Sequence, residues 1–115
     1  MHEFSIATEI IAAVERTVGA GARVQSVGLI LGSLSGVNAD SLTFCFTELA
    51  ESCGMGRTEL VIDARPARVR CRECGCDYET GDFMAGCPGC GVAAVEIVSG
   101  YECDIDTITY EEPDA

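Results

Sequence analysis

The chain has 115 residues and a formal net charge of −12, and all seven of its basic residues are arginine. This length suits one compact domain with at most a small appendage, and so negative a charge disfavours binding to the phosphate backbone of a nucleic acid. No apolar run reaches the roughly 20 residues of a membrane-spanning helix, and the amino terminus lacks the positive segment of a secretory signal. We therefore expect a cytoplasmic globular protein that binds neither nucleic acid nor membrane.

The chain begins with a predicted helix and a predicted strand. Apolar side chains recur at every fourth residue through residues 4–18, which places them on one face of an α-helix. Ser5 is a candidate N-cap, because its hydroxyl can accept a hydrogen bond from a first-turn amide. Gly19 and Gly21 then end the helix, and the alternating apolar residues of 23–31 predict a strand.

A second helix is predicted over residues 39–53. Asn38 or Asp40 is placed to cap it, and its Cys45 and Cys53 are interpreted as small buried apolar side chains. Three further strands are predicted, over residues 58–65, 92–98 and 101–110.

Two C-x-x-C-G units, separated by twelve residues, carry the clearest chemical signal in the sequence. A two-residue spacing lets one tight turn present both thiolates to a tetrahedral ion, and the following glycine tolerates the positive φ in which that turn ends. Four thiolates leave no open coordination position, which predicts a structural Zn(II) site held by Cys71, Cys74, Cys87 and Cys90. Iron in the same ligand set and a pair of disulfides are the alternatives.

The segment around these cysteines, residues 69–91, is rich in cysteine and glycine and short of large aliphatic side chains. Such a segment is not expected to fold on an apolar core and needs a staple such as a metal ion. Cys76 is open to three interpretations: a surface thiol, a spare ligand or a source of incorrect pairing. Cys103 is interpreted as a core residue, and the acidic tail 111–115 as disordered. We interpret the nearby arginines as part of a solvated linker in preference to a docking patch for an acidic partner. They are Arg65, Arg68, Arg70 and Arg72.

The amino terminus predicts a second metal site of a different kind. The α-amine of Met1, the deprotonated amide of His2 and the ring of His2, the only histidine, can bind one ion through fused chelate rings. Square-planar nitrogen ligation suits Ni(II) or Cu(II), and the carboxylate or amide nitrogen of Glu3 can fill the fourth position. Because these donors must lose protons, the affinity should fall as the pH falls.

These motifs, in this order, resemble the HypA/HybF family of nickel metallochaperones for [NiFe]-hydrogenase maturation. The resemblance covers nearly the whole chain. It departs at Cys103, where the family usually has an aliphatic residue, and at Thr109, where it often has glutamate. It rests on Met1-His2-Glu3, on the segments 27–37, 42–46 and 100–108, and on the two cysteine pairs, the second in its Cys-Pro-x-Cys-Gly form.

The resemblance implies an α/β fold in which two helices pack on a small mixed β-sheet, with a zinc-ribbon-like domain inserted before the closing strands. The implied regions are a nickel-binding domain (1–68), a zinc domain (69–93) and closing strands with an acidic tail (94–115). Nickel would be transferable and held by His2, Glu3 and Met1, whereas zinc would be structural and held by the four cysteines.

The implied partners are a nickel-handling maturation GTPase and the [NiFe]-hydrogenase large-subunit precursor. The chain itself is expected to be a monomer or a homodimer and not an enzyme. Two other classes of function stay open on the residues alone. They are an iron-tetrathiolate electron-transfer protein and a zinc-ribbon adaptor for protein interactions.

Overall fold

The computed structural model describes residues 2–112, without the side chain of His2. The elements are α1 (His2–Val18), β1 (Arg23–Gly32), α2 (Ala39–Ser52), β2 (Glu59–Arg65), β3 (Ala67–Cys71), β4 (Asp77–Thr80), β5 (Val95–Ser99) and β6 (Cys103–Glu111). No helix among these residues is both long and apolar enough to cross a membrane.

The backbone contacts divide the chain into two compact units. The first, here the α/β unit, comprises residues up to 30, residues 37–63 and residues from 104 onwards. The second, here the cysteine unit, comprises residues 31–36 and 64–103.

The α/β unit contains both helices, which pack against each other, and a three-stranded sheet of order β2-β1-β6. Its core is formed by side chains that recur with helical spacing on α1 and α2 and at alternate positions on β1. They are Ala7, Ile10, Ile11 and Val14, then Leu42, Phe46 and Ala50, then Val27 and Leu29. The predicted fold class, two helices with a small sheet and a cysteine-rich part, is confirmed.

The first helix begins earlier than the sequence indicated. Because α1 starts at His2, Ser5 lies inside the helix and is not its N-cap, so that prediction is wrong. The predicted end is confirmed: Gly19 adopts a φ of 78°, and its N–H donates to the Glu15 carbonyl over 3.0 Å. A positive φ of this size favours glycine, which explains why the helix stops there.

The second helix has the predicted cap. Asn38 precedes α2 in an extended conformation, and its side-chain oxygen accepts a hydrogen bond from the Ser41 N–H over 2.9 Å. Asp40 lies in the first turn instead. The interpretation of two buried cysteines is wrong, because Cys45 is only partly buried and Cys53 is exposed. The helix ends at Ser52, so Cys53 lies past the buried stripe.

The cysteine unit is built on a three-stranded sheet of order β4-β3-β5, in which β3 pairs antiparallel with both neighbours. Along β3, Ala67, Val69 and Cys71 are buried, and the two arginines between them are exposed. The cysteine unit therefore has a small apolar core of its own, so the expectation that residues 69–91 would fold without one is wrong. Cys103, at the start of β6, is only partly buried, so its interpretation as a core residue is wrong.

The arginines of β3 are paired with the acidic side chains of β4. Arg70 Nε lies 2.8 Å from Asp77 Oδ1, and Arg68 Nη1 lies 3.2 Å from Glu79 Oε1. Both pairs lie across the antiparallel register of the two strands. The interpretation of these two residues as part of a linker is therefore wrong, because they belong to a strand.

Candidate metal centre

The structure brings four thiols together. The sulfur atoms of Cys71, Cys74, Cys87 and Cys90 all lie within 4.8 Å of one another. Two of these separations are 3.5 Å, between Cys71 and Cys90, and 3.6 Å, between Cys74 and Cys87. A tetrahedral zinc ion with Zn–S bonds of about 2.3 Å sets its sulfur ligands about 3.8 Å apart, so this donor set fits such an ion.

Each C-x-x-C-G unit forms the turn that its spacing predicted. The Gly75 N–H donates to the Cys71 carbonyl over 2.9 Å, and the Gly91 N–H donates to the Cys87 carbonyl over 2.7 Å. The two glycines have φ values of 77° and 79°, a region that side-chain-bearing residues rarely adopt. Glycine is thus required at both positions for the turn to close.

Backbone hydrogen bonds fix the turns to the strands around them. The Cys71 N–H donates to the Cys76 carbonyl, and the Arg72 N–H donates to the Ala94 carbonyl. The Cys87 N–H donates to the Val92 carbonyl over 3.0 Å. Because residues 92–94 are held in this way, the strand predicted to start at Val92 starts at Val95.

Two of the four thiols are unusually acidic. The pKa of Cys71 is lowered chiefly by a hydrogen bond from the Cys74 N–H, which outweighs the effect of burial. Burial raises the pKa of Cys87, but hydrogen bonds from the N–H groups of Cys90 and Gly89 bring it down to about 7. The Gly89 N–H lies 3.3 Å from the Cys87 sulfur. Such donors stabilise a thiolate, which is the form that binds a metal ion.

The other two thiols shift the opposite way. The Cys76 N–H favours the Cys74 thiolate, but the nearby Cys87 sulfur and the rest of the cluster outweigh it and raise the pKa of Cys74 to about 12. For Cys90, the hydrogen bond from the Val92 N–H lowers the pKa, but the Cys71 sulfur and burial together outweigh it and raise the pKa. Four thiolates in so small a volume repel one another, so a cation is needed to hold all of them ionised.

The remaining cysteines lie outside this cluster. Cys76 is partly buried, and its thiol lies 3.7 Å from the Asp77 carbonyl oxygen. Burial, followed by the nearby Cys87 sulfur, raises the pKa of Cys76. None of the eight cysteines forms a disulfide.

At the amino terminus, the structure covers only part of the predicted nickel site. Met1 and the His2 side chain lie outside the described residues, and the backbone of His2 begins α1. Glu3 is partly buried, and its Oε2 atom accepts a hydrogen bond from the Asn38 N–H over 3.2 Å. The sequence analysis identified both residues but not this contact, because no local pattern links positions 35 residues apart.

The sequence profile of a family described as "Hydrogenase/urease nickel incorporation, metallochaperone, hypA" matches residues 1–110. The chain belongs to the HypA family. It is 39% identical to the hydrogenase maturation factor HypA of Chlorobium luteolum, over 97% of each chain. It is 36% identical to the HypA of Streptomyces avermitilis, over 97% of this chain and 88% of that one.

Two solved HypA structures share the fold. The nickel metallochaperone HypA of Helicobacter pylori aligns with a TM-score of 0.62 at 19% identity, covering 96% of this chain and 97% of that one. A second HypA structure aligns with a TM-score of 0.61 at 20% identity, covering 94% of both chains. The resemblance drawn from the sequence is thus confirmed, and HypA proteins are metallochaperones by family description.

Proposed function

We propose that this HypA-family chain binds Ni(II) at its amino terminus and delivers it to the [NiFe]-hydrogenase large-subunit precursor, together with a nickel-handling maturation GTPase. The donors are the α-amine of Met1, the amide and ring nitrogens of His2, and Glu3 in the fourth position. Membership of the HypA family supports nickel as the ion that is bound and delivered. The two partners are inferred from the same family membership.

The observation that supports the proposed site is the start of α1 at His2. The first amides of a helix have no carbonyl partner one turn earlier, so the His2 amide takes no part in the helical hydrogen bonds. Its deprotonation and binding to nickel therefore break no helical bond. An ion bound at the chain end also remains open to ligand exchange, as delivery requires.

The Cys71, Cys74, Cys87 and Cys90 cluster is proposed to hold a structural Zn(II). A four-thiolate shell has no open position, so this ion stays in place while the terminal one moves. Thiolate ligands require reduced cysteines, which supports the proposal that the protein works in a reducing compartment such as the cytoplasm. Visible absorbance separates zinc from the iron alternative, because iron–thiolate centres absorb visible light and a zinc centre does not.

Nickel titration by calorimetry and visible absorbance tests the terminal site. The zinc-loaded chain with an unmodified Met1 is compared with His2→Ala and with a chain carrying two extra residues before Met1. We expect nearly stoichiometric binding to the first form and its loss in the other two, because the extension displaces only the amine. Equal binding by all three forms would place nickel elsewhere and remove the proposed mechanism.

A further inference from the structure

The two C-x-x-C-G turns of the cysteine unit share one hydrogen-bond pattern. The Cys71 N–H donates to the Cys76 carbonyl over 2.9 Å, and the Cys87 N–H donates to the Val92 carbonyl over 3.0 Å. In each turn the accepting residue also donates its own N–H to the sulfur of the second cysteine of the pair. Cys76 and Val92 therefore occupy equivalent positions, but one carries a thiol and the other an apolar side chain.

Cys76 borders a small space beside Gly89. A Cβ at position 89 would lie 3.7 Å from the sulfur atoms of Cys74 and Cys87, and 3.9 Å from the Cβ of Cys76. These are ordinary contact distances, so the glycine leaves room for a further atom between Cys76 and the two sulfurs. The Cys87 sulfur is also near enough to raise the pKa of Cys76, together with burial. A fifth thiol thus lies against the four-cysteine cluster.

We propose that Cys76 is a reserve zinc ligand that replaces Cys74 when Cys74 leaves the four-thiolate shell. This inference rests on the structural Zn(II) proposed above and assigns a further residue to the same site. Cys74 is exposed, whereas Cys76 is partly buried. In the exchange Cys76 gives up its thiol proton as it binds, and Cys74 takes up a proton as it leaves. The shell therefore keeps four thiolates and the same charge.

The Cys76 side chain is held weakly enough to make this exchange. Its thiol lies 3.7 Å from the Asp77 carbonyl oxygen, and a thiol is a weak hydrogen-bond donor. Rotation about the Cα–Cβ bond moves the sulfur and leaves the backbone hydrogen bonds of the turn in place. The second turn has no such reserve, because Val92 carries no atom that can bind a metal ion.

Removal of one exposed ligand at a time tests this role. Cys74 and Cys90 are both exposed second cysteines of a pair, and they differ in whether a thiol follows two residues later. Cobalt(II) is the probe, because its sulfur-to-metal charge-transfer band grows with the number of thiolate ligands. Each variant is measured with Co(II) in excess, so that a loss of affinity does not pass for a loss of ligands. Chelator competition then gives the Zn(II) affinity.

The two single variants should differ. Cys90→Ala should lose band intensity and bind Zn(II) at least about 100-fold more weakly, since even a partner outside the ligand shell is worth roughly 10- to 100-fold. Cys74→Ala should keep the full band and lose less than about tenfold in affinity. Adding Cys76→Ala to Cys74→Ala should reduce both quantities to the level of Cys90→Ala.

Gly89→Ala tests the path that the sulfur would take. The added methyl group would fill the space between Cys76 and the cluster, and Gly89 does not adopt the left-handed conformation that would itself strain an alanine. Gly89→Ala should therefore weaken Zn(II) binding more in the Cys74→Ala chain than in the otherwise wild-type chain. In the Cys74→Ala/Cys76→Ala chain this excess should disappear.

Equal losses of affinity and band intensity in Cys74→Ala and Cys90→Ala would overturn the reserve role. A full band that survives in Cys74→Ala/Cys76→Ala would overturn it as well, because another group would then have replaced Cys74. Failure of the proposed zinc site has a different signature. In that case Cys90→Ala and Cys74→Ala/Cys76→Ala both bind Co(II) and Zn(II) as wild type does.

Discussion

The sulfur atoms of Cys71 and Cys90 lie 3.5 Å apart, and the pKa values of these two thiols are shifted in opposite directions. Cys87 and Cys74 form a second such pair at 3.6 Å, with pKa values of about 7 and about 12. Each pair thus combines one thiol that ionises readily with one that keeps its proton. The metal-free cluster is therefore arranged to accept a dication in exchange for protons.

Zinc binding to the metal-free chain should accordingly release at least two protons at pH 8, from Cys74 and Cys90. Because protons compete with the ion, zinc affinity should already fall with falling pH at pH 8, and should fall more steeply below the pKa of Cys87, about 7. Calorimetric titration in buffers of different ionisation enthalpy measures the number of protons released. Cys53→Ser, at an exposed cysteine outside the cluster, should leave that number unchanged. Release of fewer than two protons would contradict the predicted protonation of Cys74 and Cys90.

Gly28 and Thr107 form a pair that a double substitution can test. A Cβ at position 28 would overlap the Thr107 hydroxyl oxygen, whereas the Thr107 backbone nitrogen and Cβ lie at 3.6 and 3.7 Å, ordinary contact distances. Gly28→Ala should therefore lower the free energy of unfolding by about 1 kcal/mol, and Thr107→Ala in the same chain should recover most of that loss. Urea denaturation of the four chains measures both effects, and additive losses would exclude this contact as the cause.

Gly86 precedes the second cysteine pair, and a Cβ there would overlap the Gly91 carbonyl group. Backbone cannot move aside as a side chain can, so Gly86→Ala should displace the turn that carries Cys87 and Cys90 and weaken zinc binding by at least about tenfold. Gly81→Ala is the matched control, because nothing lies within 4 Å of a Cβ at that position. Competition with a chromophoric chelator measures the affinity. Equal zinc affinities for the two variants would contradict the prediction.

Asp77 should titrate below its ordinary range because the Arg70 side chain donates a hydrogen bond to it over 2.8 Å, and the charge of Arg70 adds to the effect. A carboxyl whose folded-state pKa is lowered stabilises the fold above its unfolded pKa, and that contribution disappears as the pH falls through the folded pKa.

Arg70→Gln should therefore raise the pKa of Asp77, as followed by carboxyl-detected NMR titration. Arg23→Gln, which removes an arginine paired with Glu111, should leave the pKa of Asp77 unchanged. If Asp77 has the same pKa in wild type and in Arg70→Gln, the ion pair with Arg70 is not the cause of the lowered pKa.

Local patterns predicted the parts of this fold that local forces determine. The apolar spacing on both helices, the Asn38 cap and the glycine after each cysteine pair were readable from the sequence, because each depends on neighbours within one or two turns. The burial of Cys53 was predicted wrongly because the residue continues the apolar spacing of α2 after the helix has ended.

Features that depend on distant residues were not readable in this way. Strands β3 and β4 were missed because arginines alternate with short apolar residues in β3, and their pairing with acidic residues of β4 appears only once the hairpin forms. The Glu3–Asn38 contact likewise depends on the packing of α1 against α2. The cluster of four cysteines could be predicted from the sequence, because the two-residue spacing within each pair determines the turn that the pair forms.

The segment of residues 31–36, from the end of β1 onwards, belongs to the cysteine unit, although the chain on both sides of it belongs to the α/β unit. Within the cysteine unit, the Ser33 N–H donates to the Arg65 carbonyl over 2.9 Å, and the Leu34 N–H donates to the Gly100 carbonyl over 2.8 Å. A fragment of residues 64–103 alone would lack both donors. The cysteine unit is therefore discontinuous in sequence. Moving it intact to another protein would require both stretches, 31–36 and 64–103.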